Sequence, residues 1–112
     1  MPISEYVKSI EFLLQMARFA VVREAGAGWD SSKALREQVA WGEHAAFMNA
    51  LDDEGFVVIG GPLGGGPKTL LVVDAQDEEE VRRRLGADPW APLGLLTVAS
   101  VEPWEILLGS EK

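Results

Sequence analysis

The chain has 112 residues and a net charge of −8, from 10 Lys+Arg against 18 Asp+Glu, with no cysteine and one histidine. That length suits one domain, burying roughly two-thirds of its unfolded surface without metal or disulfide staples. The counts exclude disulfides, thiolate zinc sites and a histidine-rich metal site within one subunit. The acid excess argues against nucleic acid and against anionic membrane surfaces.

No stretch approaches the roughly 20 apolar residues that span a bilayer. The first sixteen residues carry Glu5 and Glu11 and lack a basic start, so they make a poor secretory signal. A soluble cytoplasmic protein is expected. In this segment Ile3, Tyr6, Val7, Ile10, Leu13 and Leu14 recur at helical spacing, which predicts a short helix over residues 3 to 14, with Ser4 placed to cap it. ARFAVVREAG, β-branched, aromatic and closed by glycine, predicts a strand over about 17 to 24. After the loop AGAGWDSSK, Ser31 or Ser32 is placed to cap a helix running from about Leu35 to Glu54. Gly42 weakens that helix by roughly 1 kcal/mol relative to Ala. It serves either close packing or a break between two helical pieces.

FVVIGGPL (56–63) and TLLVVDA (69–75) read as strands joined by GGGPK, a hairpin with a glycine-bearing loop. GGPLGGGPKT is not a phosphate loop. Pro67 separates Gly66 from Lys68, and the next element is a strand where a helix is required. Asp77 caps the next helix with Glu80 at the third position. Glu78–Arg82, Glu79–Arg83 and Glu80–Arg84 are spaced i,i+4 along a solvated face, and Gly86 ends it. ADPWAPLG is irregular, LLTVASV is the last main strand, and WEILL after Pro103 is a shorter strand or an extended tail.

The order β-α-β-β-α-β predicts an α+β, ferredoxin-like antiparallel sheet with two helices on one face, plus the short N-terminal helix. Apolar residues alternate with apolar residues in the strands: Phe19 and Val21 with Ala20 and Val22, and Leu70 and Val72 with Leu71 and Val73. Two helices cover one face only. The other is expected to be covered by a second copy of the sheet in a twofold homodimer, or in part by the N-terminal helix.

Two groups stand out chemically. His44 lies in WGEHAAFMNAL, where Trp41, Phe47, Met48 and Leu51 share its helix face. The imidazole therefore falls on the stripe that should face the core. Asp88 precedes Pro89 in a helix–strand loop, where functional groups are commonly carried; it is also a favoured turn starter. Burial disfavours a charged imidazole and a neighbouring carboxylate favours it. Such a pair holds one ring nitrogen as a donor and leaves the other as a base. Trp29, Trp41 and Trp90 are candidates to wall a pocket for a flat ligand, or are ordinary core. Gly61 and Pro62 end a strand where backbone can approach a ligand, or simply turn the hairpin. No metal site and no cofactor is signalled.

WGEHAAFMNALDDEGFVVIGGPL and then GADPWAPLGLLTVASVEPW resemble the YCII-related proteins of the dimeric α/β-barrel superfamily. The resemblance covers about residues 17 to 108. It implies a domain over 17–112 with residues 1–16 as an extension, and a homodimer through the sheet faces. It also implies an active-site pair at His44 and Asp88. Relatives include a dehydrochlorinase of aromatic degradation, and neighbouring superfamilies hold isomerases and monooxygenases working without metal. Two functions stay open: a cofactor-independent lyase or isomerase on a small carbonyl or aromatic substrate, or a non-catalytic dimeric ligand-binding or interaction module.

Overall fold

The computed structural model describes residues 16–109. The helix expected over residues 3 to 14, with Ser4 as its cap, lies outside them. In order come β1 (Ala17–Ala25), a 3-10 turn (Leu35–Glu37), α1 (Trp41–Asp53), β2 (Val57–Leu63), β3 (Lys68–Ala75), α2 (Glu78–Gly86) and β4 (Leu96–Pro103). The strands form one sheet in the order β2-β3-β1-β4, every neighbouring pair antiparallel. This is the α+β, ferredoxin-like arrangement expected.

Alternation along the strands sets the two faces. Phe19 and Val21 pair with Val73 and Leu71, and Val21 pairs with Val101 on the other side of β1. With Val57, these residues meet Leu51 of α1 and Val81 and Leu85 of α2 in one core. Each such buried side chain contributes about 1.5–3 kcal/mol. The opposite face carries Ala20, Val22, Leu70 and Val72, with an Arg18–Asp74 pair (2.8 Å) toward one end and a Lys68–Glu24 pair (3.7 Å) toward the other.

The long helix expected from Leu35 to Glu54 is broken, and not at Gly42. Gln38 is extended, and Ala40 sits in the left-handed region at φ 58°. Two polar groups explain the break. The Gln38 side chain, buried, donates to the Asp30 and Lys33 carbonyls (2.7 and 3.0 Å) and accepts from the Asp30 N–H (3.0 Å). The Val39 carbonyl, freed from helical bonding, accepts from the Trp90 indole N–H at 2.7 Å. Neither serine caps the helix; Ser32 donates its N–H to Asp30 within the loop.

Asp77 does cap α2, accepting from the Glu80 N–H at 2.8 Å, and Glu80 reaches back to the Gln76 N–H. Of the three i,i+4 pairs only Glu78–Arg82 forms at 2.8 Å. Arg83 lies 3.7 Å from Glu80, and Arg84 leaves its helix to grip Glu54 at 3.0 Å over the Phe56 ring. Gly86 remains helical, and Ala87 forms the cap with right-handed backbone. After Pro103 the described residues form no strand, although the Trp104 N–H still donates to the Arg18 carbonyl at 2.9 Å.

Two glycines set the frame of the site. Gly26 and Gly28 donate to the Leu95 and Gly94 carbonyls at 3.2 and 2.9 Å. A Cβ at either position would collide with backbone oxygen of Leu93 or Gly94. Only glycine lets these loops lie backbone against backbone.

Candidate functional site

His44 sits in the first turn of α1, its N–H bonded to the Ala40 carbonyl at 3.1 Å. The left-handed Ala40 therefore fixes where the ring begins. Asp88 comes after α2, its N–H bonded to the Leu85 carbonyl (3.1 Å) and its side chain accepting from the Trp90 N–H (2.9 Å). It is a turn starter and, at the same time, the partner of His44. Its two oxygens lie 3.0 and 2.8 Å from Nδ1 of His44. Two elements remote in sequence are thus brought together as expected.

A third member was not anticipated. Arg23 continues the inward face of β1 beyond Phe19 and Val21 and donates from Nη1 to Asp88 at 2.9 Å, with both side chains almost wholly buried. Its Nη2 donates to the Met48 sulfur at 3.4 Å. A charged residue at an inward position, on an otherwise apolar face of the strand, was the available signal.

Burial is the largest influence on the Asp88 carboxyl and pushes its pKa up. Hydrogen bonds from His44, the Trp90 amide and Arg23 together outweigh burial, and the net pKa lies below the ordinary 3.8. Asp88 is therefore ionised at neutral pH and only accepts. Nδ1 of His44 must carry a proton. Nε2 has no protein partner among the described residues, and it is not among the fully buried unpaired atoms.

The His44 side chain is only 8% exposed, its ring stacked on Trp90 at 3.8 Å and 5°. Trp41 stands 5.6 Å from the ring, and Trp29 meets Trp90 edge-on at 6.2 Å. Beside the imidazole opens a cavity of about 440 Å³ between α1 and the β2 side of the sheet. That is room for a small organic molecule. His44, Trp41, Gly61 and Pro62 line it, and so do Arg23 and Thr69. Trp29 and Trp90 do not. They form a layer with Leu95 and Leu96 that holds the ring from behind. A Cβ at Gly60 would press on the tip of the Leu71 side chain, which would have to shift, whereas Gly61 has open space. Among the described residues no group of three or more His, Cys, Asp or Glu could hold a metal ion. None of their helices is long and apolar enough to cross a membrane.

No family model matches the chain, and no curated protein matches it by sequence. By structure it is similar to 5-chloro-2-hydroxyhydroquinone dehydrochlorinase from Burkholderia phenoliruptrix AC1100, solved in complex with 2,5-dihydroxybenzoquinone. The TM-score is 0.52 at 24% sequence identity, over 82% of this chain and 95% of that one. The likeness shows a shared fold.

Proposed function

We propose that the protein is a small cofactor-independent enzyme that moves a proton on a planar, oxygen-bearing substrate, of lyase or isomerase type. His44 is the acid–base, and Asp88 is the residue that positions it. One observation carries the reading: Nδ1 of His44 is tied to an ionised carboxylate, while Nε2 has no partner on a ring that lines the cavity. In that arrangement Nε2 takes a proton from carbon next to a carbonyl, and the electron pair passes to the carbonyl oxygen as an enolate. Isomerisation returns the proton at another carbon. Elimination instead expels a leaving group with its electron pair, and the proton passes to water. General acid–base help of this kind is worth roughly 10²–10⁴-fold.

The resemblance to YCII-related proteins supports the reading, as does a fold neighbour that handles hydroxylated rings. A homodimer through the open sheet face and a cytoplasmic setting belong to the same reading; the apolar strip of Ala20, Val22, Leu70 and Val72 supports the dimer. Sedimentation at micromolar concentration tests it, a stable monomer counting against.

The chemistry is tested with 2,5-dihydroxybenzoquinone in D₂O, by the loss of its ring-proton NMR signal. Wild type should speed exchange and His44→Asn should not. Equal rates for the two proteins refute catalysis by His44. The tight His44–Trp90 stack favours a second reading, in which the ring is chiefly a core element and the cavity binds ligand without reaction. Ligand binding without exchange would establish that one.

A further inference from the structure

Two buried polar atoms in the cavity wall have no partner among the described residues: Nε of Arg23 and Oγ1 of Thr69. The residues are direct cross-strand partners, Arg23 on β1 and Thr69 on β3, and both point to the helix face of the sheet. They are 3% and 8% exposed, and both line the cavity. Leaving such atoms unpaired is costly in a folded protein, and pairs of them on one wall mark a place meant for another molecule's polar group. The guanidinium is poorly used by the protein itself. One donor meets Asp88, another only the weakly accepting Met48 sulfur, and Nε–H meets nothing. With His44 neutral, Arg23 and Asp88 cancel in charge. An added anion still faces Asp52, a carboxylate on the exposed last turn of α1 that also lines the cavity, and the two unused donors offset it.

We propose that Arg23 and Thr69 form an oxygen-anion subsite that selects substrates carrying an ionised oxygen on a planar carbon: a carboxylate, an enolate or a phenolate. The proposal rests on the cavity being the substrate site and adds which end of the substrate points inward. The anionic oxygen accepts from Arg23 Nε–H and from the Thr69 hydroxyl, with the reacting carbon left toward His44. Arg23 is then a specificity-determining residue that also braces Asp88. The Thr69 hydroxyl has no hydrogen bond to the described residues, so it serves the ligand alone, which makes Thr69 the cleaner probe.

The experiment is calorimetric titration at pH 8.5 with two isosteric pairs, benzoate against benzamide and 4-nitrophenolate against 4-nitroaniline. Wild type should bind one or both anions about tenfold or more tighter than the neutral partner, as charge-assisted hydrogen bonds require. The pair that discriminates tells carboxylate from phenolate recognition. Thr69→Val should weaken the preferred anion by about tenfold and leave its neutral partner unchanged. Arg23→Gln should erase the discrimination, and Arg23→Lys should restore part of it; if both unfold, Thr69→Val decides alone. Equal affinity for anion and neutral partner, no binding of either anion at 10 mM, or an unaffected Thr69→Val each overturns the subsite. Proton exchange without discrimination removes the subsite and leaves the acid–base reading standing. Discrimination without exchange does the reverse.

Discussion

Replacing Asp88 by Asn keeps the shape of the side chain, removes its charge and leaves three donors competing for a poorer acceptor. The carboxylate accepts from Nδ1 of His44 (2.8 Å), Nη1 of Arg23 (2.9 Å) and the Trp90 N–H (2.9 Å). An amide offers one acceptor oxygen and a donating NH₂. If the oxygen stays on the Trp90 N–H, the NH₂ faces the Arg23 guanidinium, donor against donor. Arg23 and Asp88 side chains are 4% and 1% exposed, so water does not make up the loss. Breaking one side of a buried pair costs about 3–5 kcal/mol. For a domain of this size that is a fall in Tm of about 12 °C or more. The NH₂ also rewards the His44 tautomer with a bare Nδ1, which moves the proton to Nε2 and removes the base. Thermal melts by circular dichroism and ¹⁵N NMR of the ring measure both effects. A variant that melts within about 0.5 kcal/mol of wild type, or that keeps its proton on Nδ1, refutes the account of Asp88 as the shared acceptor.

Because His44 is stacked on Trp90 rather than loosely held, His44→Ala is expected to cost about 1–3 kcal/mol of stability as well as proton exchange, so melts must accompany every rate. Gly28→Ala should destabilise by about 1–3 kcal/mol, since its Cβ would collide with the Leu93 carbonyl, whereas Gly61→Ala, with open space around it, should be nearly neutral; urea titration compares them. The Asp88 pKa is lower folded than unfolded, so its contribution is fully present above the ordinary 3.8 and disappears as pH falls through the lower folded value. Melts between pH 6 and pH 2 should show this acid loss in wild type and a flatter response in Asp88→Asn. Lys68→Ala should leave ligand affinity unchanged, because the hairpin loop has no phosphate-loop geometry; a large loss of nucleotide affinity would overturn that.

The strands were legible because their alternation is a local property, and the Asp77 cap because its partner lies three residues away. The break before α1 was not, since it is driven by a Trp90 indole, remote in sequence, that needs the Val39 carbonyl, and by a glutamine side chain that folds back onto the Asp30–Lys33 loop. His44 announced itself by sitting among Trp41, Met48 and Leu51. Alternation puts Arg23 on the inward face after Phe19 and Val21, but nothing local shows that Asp88 stands there to receive it. Surface pairing misled for the same reason. Arg84 sits at ideal spacing from Glu80 yet finds Glu54 on another element, a choice only the fold can make.

The central place of β1 also fixes when the protein can become itself during synthesis. Val21 needs Leu71 on one side and Val101 on the other. Among the described strands, the earliest in sequence is therefore the last to be closed on both edges. Through the making of α1, the hairpin and α2, it waits as an apolar template that any similar nascent strand can join. Arg23 emerges with it, long before Asp88 arrives to neutralise it across a separation of 65 residues. Protection by a holding chaperone, or slow synthesis that keeps neighbouring chains apart, thus matters most between the emergence of Ala25 and that of Leu96. A polysome crowded in that interval is where this chain is most exposed to pairing with its own copies.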